Sequence, residues 1–310
     1  MNIGNEIKNS FKRSDNLAKL IYVNLAVFVI AGLVSIVLGL FNIENADYLS
    51  YLKMPASLPL FFSRFWTIFT YMFLHAGFIH IIFNVIFLFW SGRFFLAYFN
   101  EKQLVGLYLI GGIAGGIFYL LFYNIFPFFE NLKENSHLLG ASASVLAILA
   151  ASATTAPRAE INIPFVGNIK LIYIATVLII IDLLSIAPLD KNEYIAHLND
   201  SANFNFGGHI AHLGGAFTGC LFAVMIKNGK DLTAPLNKIL DFFVNNLKSK
   251  SQEKKPKFTY TYGKNIDYEY NLRKKQENEE IDAILDKIKK SGYDNLTAAE
   301  KKRLFEQSQK

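Results

Sequence analysis

Three groups of polar residues interrupt otherwise apolar sequence. The first is His75-Ala76-Gly77-Phe78-Ile79-His80-Ile81-Ile82-Phe83-Asn84. His80 and Asn84 stand four apart, so they share a helical face from which both can donate hydrogen bonds toward one point. Ordinary interhelical hydrogen bonding is the other reading of such a pair. The second group is Gly140-Ala141-Ser142-Ala143-Ser144. Its small flanks let another backbone approach a serine hydroxyl, although a serine at a helix start is also a common cap. The third is Gly208-His209-Ile210-Ala211-His212-Leu213-Gly214-Gly215-Ala216-Phe217-Thr218-Gly219. Gly215 and Gly219 form a small-xxx-small packing face, and His212, three residues before Gly215, lies over it. Close contact between the second and third helices would bring His212 toward Ser142. A serine, a histidine and a His/Asn pair then fill the roles of nucleophile, general base and oxyanion stabiliser. His209 is a rival base, and Ser144 is a neighbour suited to packing.

These groups need elements to hold them, and hydropathy supplies the elements. Mean hydropathy is +0.27 and only 18% of the 310 residues are charged, against about 25% in ordinary soluble domains. The charge is split along the chain. Residues 228–310 carry 18 of the 31 Lys and Arg and 13 of the 25 Asp and Glu. The front is therefore charge-poor and the tail charge-rich, which argues against one soluble globular domain. Cys220 is the sole cysteine and excludes an internal disulfide framework. The net charge of +6 is too dispersed for a nucleic-acid stripe, so no nucleic-acid partner is expected. A membrane-spanning helix needs about 20 mostly apolar residues. Six stretches are read as spans: 20–41, 78–98, 104–126, 140–155, 169–187 and 207–226. The fourth, short and rich in Ala and Ser, is assigned from its neighbours more than from its own hydropathy. The first is too long for a signal-peptide core and has no small-residue cleavage site after it, so it is read as an anchor.

Lys and Arg near the span ends set the orientation. Lys8, Lys12, Arg13, Lys19, Lys102, Arg158, Lys170, Lys227, Lys230 and Lys238 fall on the side of both termini. Only Lys53, Arg64, Lys133 and Lys191 fall opposite. Both termini are expected in the cytoplasm. The three polar groups then lie at one depth, near the opposite face. Loop 42–77 is long for a connection, and Pro55, Pro59, Phe61, Phe62, Phe65 and Trp66 suit it to the membrane interface. Asp182, within Ile179-Ile180-Ile181-Asp182-Leu183-Leu184, is a carboxylate inside a span. A structural role near the outer end of that span is the preferred reading, with orientation of a loop or of a reacting residue the alternative. Gly111, Gly112, Gly115 and Gly116 form two overlapping GxxxG pairs for tight packing. The histidines and carboxylates have no zinc-type ligand spacing, so no metal and no cofactor are expected.

The stretches His75-x-x-x-x-His80-x-x-x-Asn84, Gly140-x-Ser142 and Ala211-His212-x-x-Gly215-x-x-x-Gly219 resemble the rhomboid family of intramembrane serine proteases. They occur in family order, and the resemblance covers roughly residues 17–227. It implies an all-α membrane protein, a six-transmembrane-helix bundle opening to a water-filled cavity, with a Ser–His dyad and no catalytic acid. Carried over, Ser142 is the nucleophile and His212 the base. His80, Asn84 and the Ser142 N–H form the oxyanion hole, while His75, Gly140, Gly215 and Gly219 support the site. Loop 42–77 matches the position of the family's membrane-embedded loop. Ala143 stands where many members have glycine, a mild change in a small-residue helix. The implied substrates are single-span membrane proteins cut in or near the lipid bilayer. Two other readings compete. A rhomboid-like pseudoprotease would escort clients without cutting them, but such proteins lack the dyad retained here. A transporter would show paired broken-helix repeats, and none is seen.

The remaining segments are a cytosolic N-terminus (1–19), an amphipathic helix (228–250), a linker (251–275) and a cytosolic helical hairpin (276–310). Leu232, Leu236, Ile239, Leu240, Phe243 and Leu247 recur at helical spacing in the first helix of the tail, suiting the cytoplasmic membrane face. Ile281, Ile284, Leu285 and Ile288 form a second face, and Thr297 with Glu300 a capping box. The hairpin is read as a solvated tail or as a docking module for a cytosolic partner. Soluble tails of this kind occur in some bacterial rhomboid-like proteins, which implies a bacterial inner membrane.

Overall fold

The computed structural model describes residues 14–43, 48–163, 167–186 and 206–247, with scattered residues between 284 and 304. Expectations for residues 1–13, 187–205 and the linker 251–275 lie outside the described residues. The chain divides into two units, Met1–Lys248 and Ser249–Lys310.

The first unit opens with α1, Asn16–Leu40, capped by the Asp15 carboxylate, which accepts from the Ala18 N–H at 2.8 Å. Only Leu17, Leu20 and Asn24 of α1 are buried. Beyond Asn24 the helix is free of charge and most of its side chains are exposed, as they would be toward lipid. Next comes the long loop, which holds a short strand β1 (Met54–Pro55) and two short helices, α2 (Leu58–Ser63) and α3 (Thr67–Thr70). The loop is ordered by its own hydrogen bonds. Trp66 Nε1 donates to Tyr51 O at 2.9 Å, and Thr70 Oγ1 to Leu52 O at 2.7 Å. Phe62 and Phe65 remain 70% and 64% exposed, as suits a segment lying at an interface. β1 pairs antiparallel with β2 (His137–Leu138), Met54 opposite Leu138.

The helices that follow are α4 (Phe78–Leu96), α5 (Glu101–Ile125), α6 (Ser142–Thr155), α7 (Leu171–Leu184) and α8 (Phe206–Lys227). A two-stranded hairpin, β3 (Glu160–Ile163) with β4 (Gly167–Lys170), leads into α7. α1, α4, α5 and α8 are long and apolar enough to cross a membrane. α6 and α7 have 14 residues each, about 21 Å at about 1.5 Å per residue, and so fall short of the bilayer core by length alone. Burial explains the composition of α6. Ala143 to Ala153 are all buried, so this helix meets protein and not lipid. Its Ala and Ser then serve close packing, where larger apolar side chains would not fit.

The core is a stack of small residues on α5, α6 and α8. On α5, a Cβ at Gly111 would run into the Ala147 side chain, one at Gly112 into Met72 and Ser144, and one at Gly115 into Ala143 and Ala211. On α8, a Cβ at Gly215 would overlap the carbonyl of Ala143, and one at Gly219 the carbonyl of Ala147. Backbones approach here as no residue with a side chain would allow. α7 is attached more lightly, burying Leu171, Ala175 and Asp182 on one stripe.

After α8, the Asp231 carboxylate accepts from the Thr233 N–H at 2.8 Å and from Gln103 Nε2 at 2.9 Å. These bonds hold its pKa below the usual carboxylate range against the opposing effect of burial. They seat α9, Ala234–Leu247, against the start of α5, where Lys102 also meets Asp241 at 2.7 Å. Ile239, Phe242 and Phe243 of α9 stay exposed. In the second unit, Glu300 Oε2 accepts from the Thr297 N–H at 2.7 Å while Thr297 Oγ1 accepts from the Glu300 N–H at 3.3 Å, a reciprocal capping box. Lys287 also reaches Glu300 at 2.9 Å.

The packing predicts that Gly219→Val separates α6 from α8. The expected loss is about 1–3 kcal/mol or more, read as a lower midpoint of thermal unfolding in detergent. Gly32→Ala, where no atom lies within 4 Å of the added Cβ, leaves the midpoint unchanged.

Candidate active site

Ser142 is the first residue of α6. The chain reaches it through Gly140 at φ +128°, a left-handed conformation that favours glycine. The space is equally demanding, since a Cβ at Gly140 would stand 3.2 Å from His80 Nε2 and 3.4 Å from Ser142 Oγ. The turn is anchored by the Gly140 N–H donating to Tyr71 O at 3.0 Å. The Tyr71 hydroxyl donates onward to Gly112 O at 2.5 Å. The long loop and α5 therefore fix the serine from two sides.

His212 of α8 sits over the close-packed face set by Gly215. Its Nε2 lies 2.6 Å from Ser142 Oγ. Its Nδ1 lies 2.8 Å from Asp182 Oδ1 on α7. His209, one turn earlier on α8, also directs Nδ1 to Asp182 Oδ1, at 2.8 Å. His209 thus bonds the carboxylate, and the histidine on the serine is His212.

His80 stands in the first turn of α4. Its Nδ1 accepts from the Ala76 N–H at 3.4 Å, so its ring proton belongs on Nε2, the atom beside Gly140 and Ser142. Asn84, one turn further, donates to His80 O at 2.9 Å and is buried. The N–H groups that open a helix have no acceptor within it, which leaves the Ser142 N–H at the same place. His80, Asn84, Ser142, His212 and Asp182 all line one cavity of about 330 Å³, with Phe83, Phe87, Val145, Leu146, Leu149 and Leu178 as its apolar wall. Three donors, a hydroxyl and a base therefore meet in one concave site with the geometry for acyl transfer.

His75 packs edge-on against His80, ring centroids 5.2 Å apart. Its two ring nitrogens are buried without hydrogen-bond partners, beside a second cavity of about 220 Å³ lined by Val27, Lys53 and Leu139. Ser144 is fully buried with Oγ 4.0 Å from Met72 Sδ, a packing position.

Residues 63–229 match the rhomboid domain family. The chain belongs to the rhomboid family. All three polar groups and Asp182 fall within the rhomboid match. A curated relative, the RHOMBOID-like protein 12, mitochondrial, of Arabidopsis thaliana, is 28% identical over 175 residues, 54% of this chain. The chain spans about half the length of that relative, 48% of which is covered. Residues 264–310 match a second family, of unknown function (DUF6576), separate from the rhomboid domain.

Asp182, read from the sequence as structural or as orienting a loop or a reacting residue, bonds both histidines of α8. Spacing gave no metal-type grouping, yet ligand atoms of Asp182, His209 and His212 lie within 4.8 Å of one another. The carboxylate and the histidines come from different helices, and linear spacing is blind to that. A signal did exist: Leu171, Ala175, Leu178 and Asp182 repeat at helical spacing, so Asp182 continues an inward stripe.

Burial, and next to it the neighbouring His80, push the His75 imidazole down to about 4. Between about 6.5 and about 4 the unfolded chain binds a proton at His75 that the folded protein does not, so stability falls as pH drops through that window. Thermal unfolding in detergent should show this decline in the wild type, and His75→Phe should make it shallower.

Proposed function

We propose that the protein is an intramembrane serine endopeptidase. It would hydrolyse peptide bonds in or near the spans of single-span membrane proteins. The observation that carries this reading is the 2.6 Å hydrogen bond between Ser142 Oγ and His212 Nε2, made in a cavity that also holds His80 and Asn84. His212 takes the Ser142 proton as Oγ attacks the substrate carbonyl carbon. The carbonyl oxygen gains the negative charge and is met by His80 Nε2–H, the Asn84 amide and the Ser142 N–H. His212 then gives its proton to the departing amine, and the acyl-enzyme remains on Ser142. A water deprotonated by His212 hydrolyses that ester and restores the serine. Polar groups of this kind are tolerated at membrane depth where they line a cavity.

On this reading the domain crosses the membrane six times, with α6 and α7 as short crossings. α6 lies inside the bundle, and the bundle around it can shorten the path that must be apolar. Both termini and α9 lie on the cytoplasmic side, supported by the Lys and Arg bias. The cavity then opens near the opposite face.

The test is cleavage of a single-span reporter in proteoliposomes, together with labelling by a fluorophosphonate. Ser142→Ala and His212→Ala should abolish both. His80→Ala and Asn84→Ala should each slow cleavage by about 10²–10³-fold, the usual effect of one oxyanion donor. Labelling or cleavage that persists in Ser142→Ala would refute the assignment.

A further inference from the structure

The mechanism leaves Asp182 and His209 unused. Asp182 is a costly group inside an apolar helix, its side chain 7% exposed, and it lies against the reacting histidine. We propose that Asp182 is the positioning residue of His212, so that α6, α7 and α8 together carry a Ser142–His212–Asp182 relay in which His209 fixes the carboxylate. This inference rests on the peptidase reading.

Nε2 of His212 can accept the serine proton only if it carries none itself, so the ring proton must be on Nδ1. An isolated imidazole has no reason to hold that tautomer. Here Nδ1 meets Asp182 Oδ1 at 2.8 Å, and a carboxylate oxygen is acceptor-only. The carboxylate therefore selects the tautomer that the base requires. It also fixes the ring plane, because His212 is bonded at both nitrogens, to α6 through Ser142 and to α7 through Asp182.

Charge gives the second step. When the Ser142 proton moves to Nε2, His212 becomes imidazolium. The negative charge of Asp182 is already in place beside it, so the new charge is balanced without reorganisation. Nδ1–H stays on His212 and Asp182 stays ionised throughout. The proton that arrived from Ser142 leaves on the amine, and none is transferred to the carboxylate.

His209 completes the arrangement. It donates from Nδ1 to the same Oδ1 at 2.8 Å, one turn before His212 on the same helix. A carboxylate held by one bond could rotate away. Held from two points of α8, it keeps its position relative to His212. A purely structural Asp182 would need only some partner in the bundle. That its oxygen meets the reactive ring at the nitrogen opposite the serine is what a positioning role requires.

The test uses the full chain in proteoliposomes. Asp182→Asn keeps the shape and removes the charge. It should lower the kcat of the folded protein for reporter cleavage by about 10²–10⁴-fold, with KM within about twofold, while Asp182→Glu restores part of kcat. A purely structural role would leave the kcat of the folded fraction intact. Should the variants not fold, NMR of the histidine-labelled wild type decides. A far-downfield Nδ1–H proton that disappears in His212→Ala is expected, and its absence overturns the proposal. Wild-type cleavage with Asp182→Asn at full kcat overturns the relay alone. A wild type without Ser142-dependent cleavage overturns the peptidase reading instead.

Discussion

The close approach of α8 to α6 is the constraint on which the rest depends. Gly215 and Gly219 lie against the carbonyls of Ala143 and Ala147 with no room for a Cβ on either. This fixes both the separation of the two helices and the sliding of one along the other. Ser142 sits one residue before Ala143, and His212 three residues before Gly215. The 2.6 Å hydrogen bond between them therefore follows from backbone contact elsewhere on the same helices. Side chains alone would not hold such a distance, because between helices surrounded by apolar groups hydrophobicity gives little reason to prefer one partner over another. Close packing and hydrogen bonds must do so.

The hydrogen bonds extend the same frame outward. Asn24 of α1 donates to the Tyr108 hydroxyl at 3.1 Å, which donates to Met72 O at 3.0 Å. Asn124 of α5 donates to Ala56 O at 2.8 Å. Both chains of bonds end on the long loop between α1 and α4, at Met72 and at Ala56, so a segment with little regular structure is fixed against the helices that carry the site. An unpaired polar group in this environment costs several kcal/mol. The bonds consequently specify one arrangement, and the loop delivers Tyr71 to the Gly140 turn.

Much of this was legible in the sequence, for identifiable reasons. The two GxxxG faces, the His80/Asn84 face and the Gly-x-Ser turn are short-range patterns, and helical geometry converts them directly into shared faces. The contacts of Asp182 leave no such pattern, because its partners are on another helix, some 27 and 30 positions away in the chain. The length of α6 was also hard to read. Hydropathy measures affinity for lipid, and a helix enclosed by α5, α7 and α8 meets almost none. Its Ala and Ser content reflects packing, so its ends were set by the Gly140 turn and by Ala156 and not by an apolar run. The pairing of β1 with β2 joins two loops about 80 residues apart and leaves no local trace.

α7 shows how architecture and chemistry share atoms in this fold. Its buried stripe is short, and Val177, Ile180, Ile181, Leu183 and Leu184 are exposed around it. Near its C-terminal end the inward group is Asp182, bonded to two histidines of α8. The same carboxylate that secures this end of α7 to the bundle meets the nitrogen of His212 opposite the serine. Docking of α7 and orientation of the imidazole are then one equilibrium. Any displacement of this end of α7 that breaks the Asp182 contacts also releases the ring that faces Ser142. A larger apolar anchor at this position would hold the helix as well, but it would leave His212 free to take either tautomer.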